Sequence, residues 1–398
     1  MKKILLLGGS RYLLPAIQSA HDLGVYVITC DYLPNNYAHK FSDEYHNISI
    51  VDKKAVLILA EKLKIDGIIS YATDPGVVTA AYVAKKMGLS GIPYESAIIL
   101  QNKGKFRRFL EKHGFNTPTT NVYHSWEEIK HHLREIIYPV IVKPTDSAGS
   151  KGVTRVDRPV EMFEAVSVAI KHSFSHEIIV EQFIEKSGFS SDTDSFSIDG
   201  DIVFFSLNDQ WFDQNAANVY TPAAFCWPST MPIVHQKKLH ADIQRLLCLL
   251  HMGTSIYNIE TRLGMDGKPY IMEVSPRAGG NRLAEVLRYA CGQDIIRASI
   301  QGALGMTVDR LIDPLYQGYW GLVVLHSRKA GIYKNIYIDN RLDDKIIEKD
   351  MWVVPGDEVK CFTGANESIG TLVLHSNNQD ELMDILTNIE KLIMIEVQ

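Results

Sequence analysis

The first hundred residues switch hydrophobic period several times. Ile4-Leu5-Leu6-Leu7 is a short unbroken apolar run that enters Gly8-Gly9-Ser10, the pattern of a β-strand entering a glycine turn. Helical spacing follows from Leu14 to Leu23 and stops at Gly24, and Val25 to Cys30 reads as a second strand ending at Asp31. A helix is expected near Lys53–Leu63, a strand over Gly67–Ser70 and another helix near Val77–Met87. Alternating strand and helix predict an open parallel sheet with helices covering it.

Beyond residue 100 the rhythm changes. A helix is expected over 101–113, ending at Gly114, and Ser125-Trp-Glu-Glu128 is a capping box opening a helix with Ile129, Leu133 and Ile136 inward. Val140 to Val142 is a buried strand, and Phe163, Val166 and Ile170 face inward from a helix that begins near Pro159. A further strand spans Glu177–Ile184. Between 185 and 232 only Ile202–Phe205 has a clear period, and Asn208 to Met231 reads as a long polar-aromatic loop of the kind that closes over ligands. Leu239, Ile243, Leu246 and Leu250 mark a helix, and residues 311–398 read as a last α+β segment. The fold class is α/β and α+β, in two or three domains.

Composition narrows the class. The chain has 398 residues, 46% hydrophobic and 22% charged, with a net charge of −6; nothing favours nucleic acid or an anionic membrane surface. Five cysteines lie far apart without a CxxC pair, which argues for reduced thiols in a cytoplasmic protein. The apolar run after Met1-Lys-Lys is too short for a signal sequence, and no run approaches a membrane span.

Three stretches carry chemistry. In Lys143-Pro-Thr-Asp-Ser147-Ala148-Gly149-Ser150-Lys151-Gly152, a strand delivers a lysine into a loop of small residues, whose backbone N–H groups can converge on an anion. It is not a P-loop, and a tight hairpin with solvated lysines is the plain alternative. In Tyr257-Asn-Ile-Glu260 to Tyr270-Ile-Met-Glu273-Val-Ser275, two strands flank Asp266-Gly267. A two-residue type I′ turn there puts Glu260 opposite Glu273, with Cβ atoms about 4.5–5.5 Å apart. Like charges so placed call for a cation, and Mg²⁺ suits carboxylate and phosphate oxygens; a solvated face or salt bridges to Arg262 or Arg277 is the alternative, and Pro269 can shift the register by a bulge. Pro276-Arg277-Ala-Gly-Gly-Asn-Arg282 then offers two guanidinium groups, suited to phosphate or carboxylate unless merely solvated.

In this order the motifs resemble the ATP-grasp superfamily of ligases, across about residues 1–310: Asn102-Lys103, Gly114-Phe-Asn-Thr-Pro118, Val142-Lys143-Pro144, the small-residue loop, Val180-Glu-Gln-Phe-Ile184, Glu260 and Glu273. The resemblance implies a Rossmann-like pre-ATP-grasp domain (1–100), an ATP-grasp domain (101–310, small lobe about 115–184, large lobe about 185–310) and a C-terminal α+β domain (311–398). It implies that Lys103 and Lys143 contact nucleotide phosphates under the loop Ser147, Ala148, Gly149, Ser150 and Gly152. Glu181, Gln182, Phe183 and Ile184 become the adenine hinge, Glu260, Glu273 and Ser275 the ligands of Mg²⁺ (or Mn²⁺), and Arg277 the group that meets the transferred phosphoryl. Two positions depart from the family: Ser275 stands where an asparagine is common, and Gly188-Phe189-Ser190 where a ribose-binding glutamate is expected, a place Glu185 or Asp192 can take. The implied activity is ATP-dependent ligation of small-molecule carboxylate and amine substrates through an acylphosphate, with the acceptor between Asn208–Met231 and Gly279–Arg282 and a homodimer as the default assembly. Two rivals stand beside it: a nicotinamide-dependent oxidoreductase using Gly8, Gly9 and Asp31, and a nucleotide-binding module without catalysis.

Overall fold

The computed structural model describes residues 1–147 and 149–398; Ala148, expected in the phosphate loop, lies outside the described residues. The first unit runs β1 (Lys3–Leu7), α1 (Leu14–Asp22), β2 (Tyr26–Cys30), β3 (Glu44–His46), α2 (Lys53–Leu63), β4 (Gly67–Ile69), α3 (Asp74–Met87) and α4 (Tyr94–Leu100). Its sheet is parallel, in the order β3-β2-β1-β4. The unbroken apolar run of β1 is explained by burial on both faces. Leu5 and Leu7 lie in one core with Val56, Leu59 and Val83, while Ile4 and Leu6 lie in another with Ala16 and Ile17, which α1 extends onto α10 far along the chain, with Ile296 and Ile300. The second of these cores continues into the large lobe, so the first unit is seated firmly against it.

Gly8 and Gly9 do not make a dinucleotide crown. A Cβ on Gly9 would lie 2.4 Å from the His39 ring and 2.7 Å from Asn36, so side chains of this chain fill the space above β1. Asp31 is buried, and its carboxylate accepts the Leu33 N–H at 2.9 Å. The glycine is there for close packing, which removes the footing of the nicotinamide reading.

The small lobe comprises α5 (Lys103–Lys112), β5 (Thr120–Tyr123), α6 (Trp126–Lys130), β6 (Val140–Pro144), β7 (Thr154–Val156), α7 (Met162–His172) and β8 (Ile178–Gln182), with an antiparallel sheet in the order β5-β8-β6-β7. The Ser125 cap forms, accepting the Glu128 N–H at 3.3 Å. The helix it starts ends at Lys130, short of the expected Ile136. Residues beyond continue in tighter turns, with His132 N–H to Ile129 O and Glu135 N–H to His132 O at 2.9 Å, and Leu133 and Ile136 still pack on the lobe's core.

The large lobe contains β9 (Lys186–Ile198), β10 (Asp201–Phe204), β11 (Asp209–Phe212), β12 (Pro222–Trp227), α8 (Ile233–Leu249), β13 (Ser255–Gly264), β14 (Pro269–Ser275), α9 (Leu283–Cys291) and α10 (Ile295–Ala303). The chain then adds β15 (Tyr319–His326), β16 (Gly331–Ile338), β17 (Ile346–Met351), β18 (Glu358–Val359), β19 (Ser368–Ser376), α11 (Gln379–Thr387), α12 (Ile389–Leu392) and β20 (Ile393–Val397). One sheet runs β14-β13-β9-β11-β12-β15-β19-β17, and β18-β16-β20 form a separate small one. The last ninety or so residues therefore extend the sheet that carries the Glu260–Glu273 hairpin.

Two expectations fail here. Residues 185–232 are not irregular, and Asn208–Met231 is not a ligand-covering loop. β9 is a 13-residue strand whose centre, Ser190 to Ser195, is polar on both faces; with no apolar alternation it left no period to read. Part of this polar stretch is satisfied from neighbouring elements: Thr193 pairs with Ser206 at 2.8 Å, and Trp227 Nε1 donates to Thr193 Oγ1 at 3.1 Å. β11 and β12 form a hairpin inside the sheet, and only about residues 213–221 between them are loop. The fully buried Phe225 and Trp227 decide this. Trp227→Ala is expected to cost about 3–5 kcal/mol of stability, read as a lower urea midpoint at unchanged slope; a surface loop residue would give almost no change.

Candidate active site

The cleft between the lobes is roofed by cations. The Asn102 side chain accepts the Lys105 N–H at 2.8 Å and caps α5, which places Lys103 and Arg107, four residues apart, on one face. Lys103 Nζ donates to Ser147 O at 2.9 Å and lies 3.4 Å from Glu273 Oε2. Arg107 Nε donates to Glu181 Oε2 at 2.9 Å, and Lys143 Nζ reaches the other oxygen, Oε1, at 2.5 Å. Ile141 stands opposite Glu181 in the β6–β8 register, so Lys143 and Glu181 are diagonal neighbours on one sheet face. Burial opposes ionisation of Glu181, but Arg107 and then Lys143 outweigh it and hold its pKa at about 2. Burial lowers the Lys143 pKa despite the attraction of Glu181.

After β6 the loop folds back on itself. Ser147 Oγ donates to Lys151 O at 2.8 Å, and Ser150 Oγ donates to Tyr220 O at 3.2 Å, which docks the loop on the 213–221 turn. Gly149, Ser150 and Gly152 all have positive φ, at 67°, 57° and 72°. A Cβ on Gly152 would also lie 2.9 Å from His172 and 3.0 Å from Pro144, so only glycine fits. Lys151 is exposed. At the hinge, Gln182 N–H donates to Thr119 O at 2.9 Å, Phe183 N–H to Pro139 O at 3.1 Å, and Arg262 Nη1 to Ile184 O at 3.0 Å. Arg155 stacks 4.3 Å from the centre of the Phe183 ring. Among the described residues the Ile184 N–H has no acceptor.

The floor is acidic, and its register is the central fact of the site. Glu260 stands opposite Glu273 on β14 and opposite Asp192 on β9; Asn258 stands opposite Ser275 and Asp194. The turn is not the expected two-residue type I′. Gly264 N–H donates to Lys268 O at 2.9 Å, enclosing Met265-Asp266-Gly267, in which only Gly267 has positive φ. That slips the pairing by one residue, and a bulge between Glu260 and Thr261 slips it back. Met272 is the extra residue, and its carbonyl accepts Arg107 Nη1 at 2.8 Å.

Crowded carboxylates resist ionisation. Burial, and then the neighbouring Glu273, raise the Glu260 pKa against the pull of Arg262. Burial pushes Asp192 and Asp194 to about 7, with Glu260 adding to the effect at Asp192. Asp194 Oδ1 accepts the Gly279 N–H at 2.7 Å and Asn258 Nδ2 at 3.2 Å, while its buried Oδ2 has no partner among the described residues. Ser275 Oγ donates to Asp74 Oδ1 at 2.9 Å and sits 3.4 Å from Glu273 Oε1. Arg277 is gripped by Asp74 through Nε and Nη2, both at 2.7 Å.

Among the described residues no group of three or more His, Cys, Asp or Glu side chains is arranged to hold a metal unaided. Two opposed carboxylates beneath a lysine do fit Mg²⁺, which takes one or two carboxylates and completes its shell with phosphate oxygens and water. Arg282 is not a free fork at an acceptor site: it donates to Glu285 at 3.0 Å, Glu348 at 2.6 Å and Thr371 at 3.0 Å, tying α9 to β17 and β19. Asp192 lies in the acidic row and not beside the hinge. Sequence reading missed Asp74, Arg107, Asp194 and Asn258. A signal existed for two of them: Arg107 follows Lys103 by one helical turn, and Asp74 follows a buried parallel strand, where such sheets place their ligands.

A parallel-sheet unit, two lobes with a cationic roof over a carboxylate hairpin, and a glycine loop between them define a nucleotide-clamping class. Residues 100–281 match the ATP-grasp domain family. The chain is 24% identical over 244 residues to the carbamoyl phosphate synthase large chain of Corynebacterium glutamicum, covering 60% of this chain and 21% of that protein; the chain spans about a fifth of the length of the curated relatives it matches. Its fold is shared with the L-amino acid ligase from Bacillus licheniformis, with a TM-score of 0.80 and 19% identity over 100% of this chain and 99% of that one. The biotin carboxylase domain of Hydrogenobacter thermophilus 2-oxoglutarate carboxylase, solved with MgADP, ADP and bicarbonate, gives a TM-score of 0.77 and 16% identity over 100% of this chain and 91% of that one. Among the described residues no helix is long and apolar enough to cross a membrane.

Removing Arg107 leaves one oxygen of the buried Glu181 carboxylate unpaired, with Lys143 still on the other. Arg107→Met is expected to destabilise by about 3–5 kcal/mol, measured by denaturant unfolding. Asp194 works in the opposite pH sense from an ordinary salt-bridged acid. Burial raises its folded pKa to about 7, above the ordinary carboxylate value of 3.8, so the folded state binds the extra proton and stability from this group falls as pH rises through that window. Asp194→Asn, which keeps an acceptor for the Gly279 N–H, is expected to gain melting temperature relative to wild type between pH 5 and pH 8 in metal-free buffer; equal pH dependence in both proteins contradicts it.

Proposed function

We propose that the chain is a Mg-ATP-dependent ligase that joins a small-molecule carboxylate to an amine, releasing ADP and phosphate by way of an acylphosphate. One observation carries this reading: the opposed Glu260–Glu273 pair faces Lys103 across a cleft roofed by the Lys143–Glu181–Arg107 triad. Carboxylates in that position offset a divalent cation, and the lysines offset phosphate oxygens. Phosphoryl transfer needs this positioning and charge neutralisation more than it needs a protein nucleophile.

The residue roles follow from place. Lys103 and Lys143 hold phosphates; Ser147 to Gly152 cover them, docked on the 213–221 turn. The hinge Glu181 to Ile184 meets adenine, with the Ile184 N–H as its free donor; Glu181 itself serves mainly to anchor Lys143. Glu260 and Glu273 bind Mg²⁺ (or Mn²⁺), and Ser275 supports them through its hydroxyl. Arg277 meets the oxyanion of the transferred group. In domain terms, residues 1–100 pack beneath the clamp of 101–310, and residues 311–398 brace its sheet. A closed clamp excludes water that would hydrolyse the activated acyl group. A homodimer in the cytoplasm is the setting we assign.

The test is a phosphate-release screen with Mg-ATP over amino acids, dipeptide-forming pairs and purine-precursor amines. A pair that releases phosphate and forms an amide identifies the substrates. Glu273→Gln and Lys143→Met are then each expected to lower kcat/KM by about a hundredfold or more, since each removes a charge from the phosphoryl site. Unaltered turnover in either variant removes that residue from the site, and ATP binding with no phosphate release across the panel leaves a nucleotide-binding module.

A further inference from the structure

The arginine that faces the reaction is held by a residue from outside the ATP-grasp domain. Asp74 begins α3 immediately after β4, at the carboxyl end of the first unit's sheet. Its carboxylate takes one edge of the Arg277 guanidinium, Nε and Nη2, with both bonds at 2.7 Å. Oδ1 also accepts the Ser275 hydroxyl at 2.9 Å. Arg277 Nη1 gives a hydrogen to Ala278 O at 2.8 Å. A guanidinium has five N–H donors. Three are occupied, and the other two, one on each terminal nitrogen, have no acceptor among the described residues. Such a pair matches two oxygens of a phosphoryl or carboxylate group. Asp74 also lines the cleft with Gln101, Lys103, Ser147 and Glu273.

We propose that Asp74 is a positioning residue for phosphoryl transfer. It fixes the plane of Arg277 so that the remaining two donors meet the oxyanion, and through Ser275 it ties that orientation to the Glu260–Glu273 hairpin. Asp74 acts through Arg277 and does not itself touch the transferred group. The inference rests on the ligase reading above, and it makes residues 1–100 part of the chemistry as well as part of the scaffold. The packing of α1 and β4 on α10 is what lets a residue of one unit aim a residue of another.

Inorganic phosphate, titrated by calorimetry into full-length protein saturated with Mg-ADP, probes the oxyanion place without needing the natural substrates. Wild type, Asp74→Ala, Asp74→Glu, Arg277→Ala and the Asp74/Arg277 double alanine variant are compared, each with its own Mg-ADP affinity and melting temperature. The expected result is Mg-ADP affinity unchanged within about threefold, and phosphate affinity about tenfold weaker or more in Asp74→Ala, as for one lost charge-assisted contact. Asp74→Glu recovers part of it, and the double variant is no weaker than Arg277→Ala alone. If alanine at 74 does not fold, Asp74→Asn, which keeps an acceptor for Ser275, takes its place with the same expectation. Wild-type phosphate affinity in Asp74→Ala, or additive losses in the double variant, overturns the proposal. Wild type that binds Mg-ADP but not phosphate also overturns it while leaving nucleotide binding intact. Wild type that fails to bind Mg-ADP overturns the ligase reading, and this proposal with it.

Discussion

Asp192, Glu260 and Glu273 stand in one row across three strands, and the site depends on how that concentration of negative charge is balanced. Burial, and then the repulsion of a neighbouring acid in the row, raise the pKa of Asp192 and Glu260. The compensating charges come from other elements: Lys103 from α5, Arg262 from the same strand two residues on, and Arg277 from the following turn, itself matched by Asp74. Each cation is fixed by a second contact that does not involve the row. Lys103 is held by Ser147 O, Arg262 by Ile184 O and Arg277 by Ala278 O. The floor is thus underneutralised by design of the fold, which suits a divalent cation and argues against a purely structural salt-bridge network.

The roof solves the opposite problem. Two cations in a buried place would repel each other, and Glu181, with an oxygen for each, converts them into a fixed triad. Buried ion pairs add little net stability because desolvation offsets the Coulomb attraction. What the triad supplies is geometry: Lys143 cannot swing away from the cleft. The bulge at Met272 connects roof and floor, since the same backbone irregularity that brings Glu260 opposite Glu273 frees a carbonyl for Arg107.

Legibility differed between parts of the chain for physical reasons. The strand and helix alternation of residues 1–100 was readable because each element is buried in a regular way, and Ile4 to Leu7 meets apolar side chains on both faces. The hairpin partners were readable because Asp-Gly between two strands limits the register to few choices, although the turn chosen was a three-residue loop corrected by a bulge. β9 was not readable. A strand in the middle of an antiparallel sheet can be polar through its centre if its neighbours supply a hydroxyl, side-chain amides and an indole N–H, and those neighbours, Asn258, Ser206, Asn208 and Trp227, lie outside the strand in sequence.

The sequence by itself listed the candidate groups: two lysines, a glycine loop, paired glutamates and an arginine, whose order resembles that of the ATP-grasp ligases and through that resemblance implied a nucleotide clamp. Residue type and short-range spacing suffice to list those groups, because a loop's φ angles and a hairpin's pairing are local properties. Only the tertiary structure decided which charges meet. Asp74 with Arg277, Glu181 with both Arg107 and Lys143, and Arg282 with Glu348 are joined by packing between units far apart in the chain. Coulomb attraction acts over a few ångströms in space and is indifferent to separation along the chain. A sequence lists the candidate charges, and the fold chooses their partners.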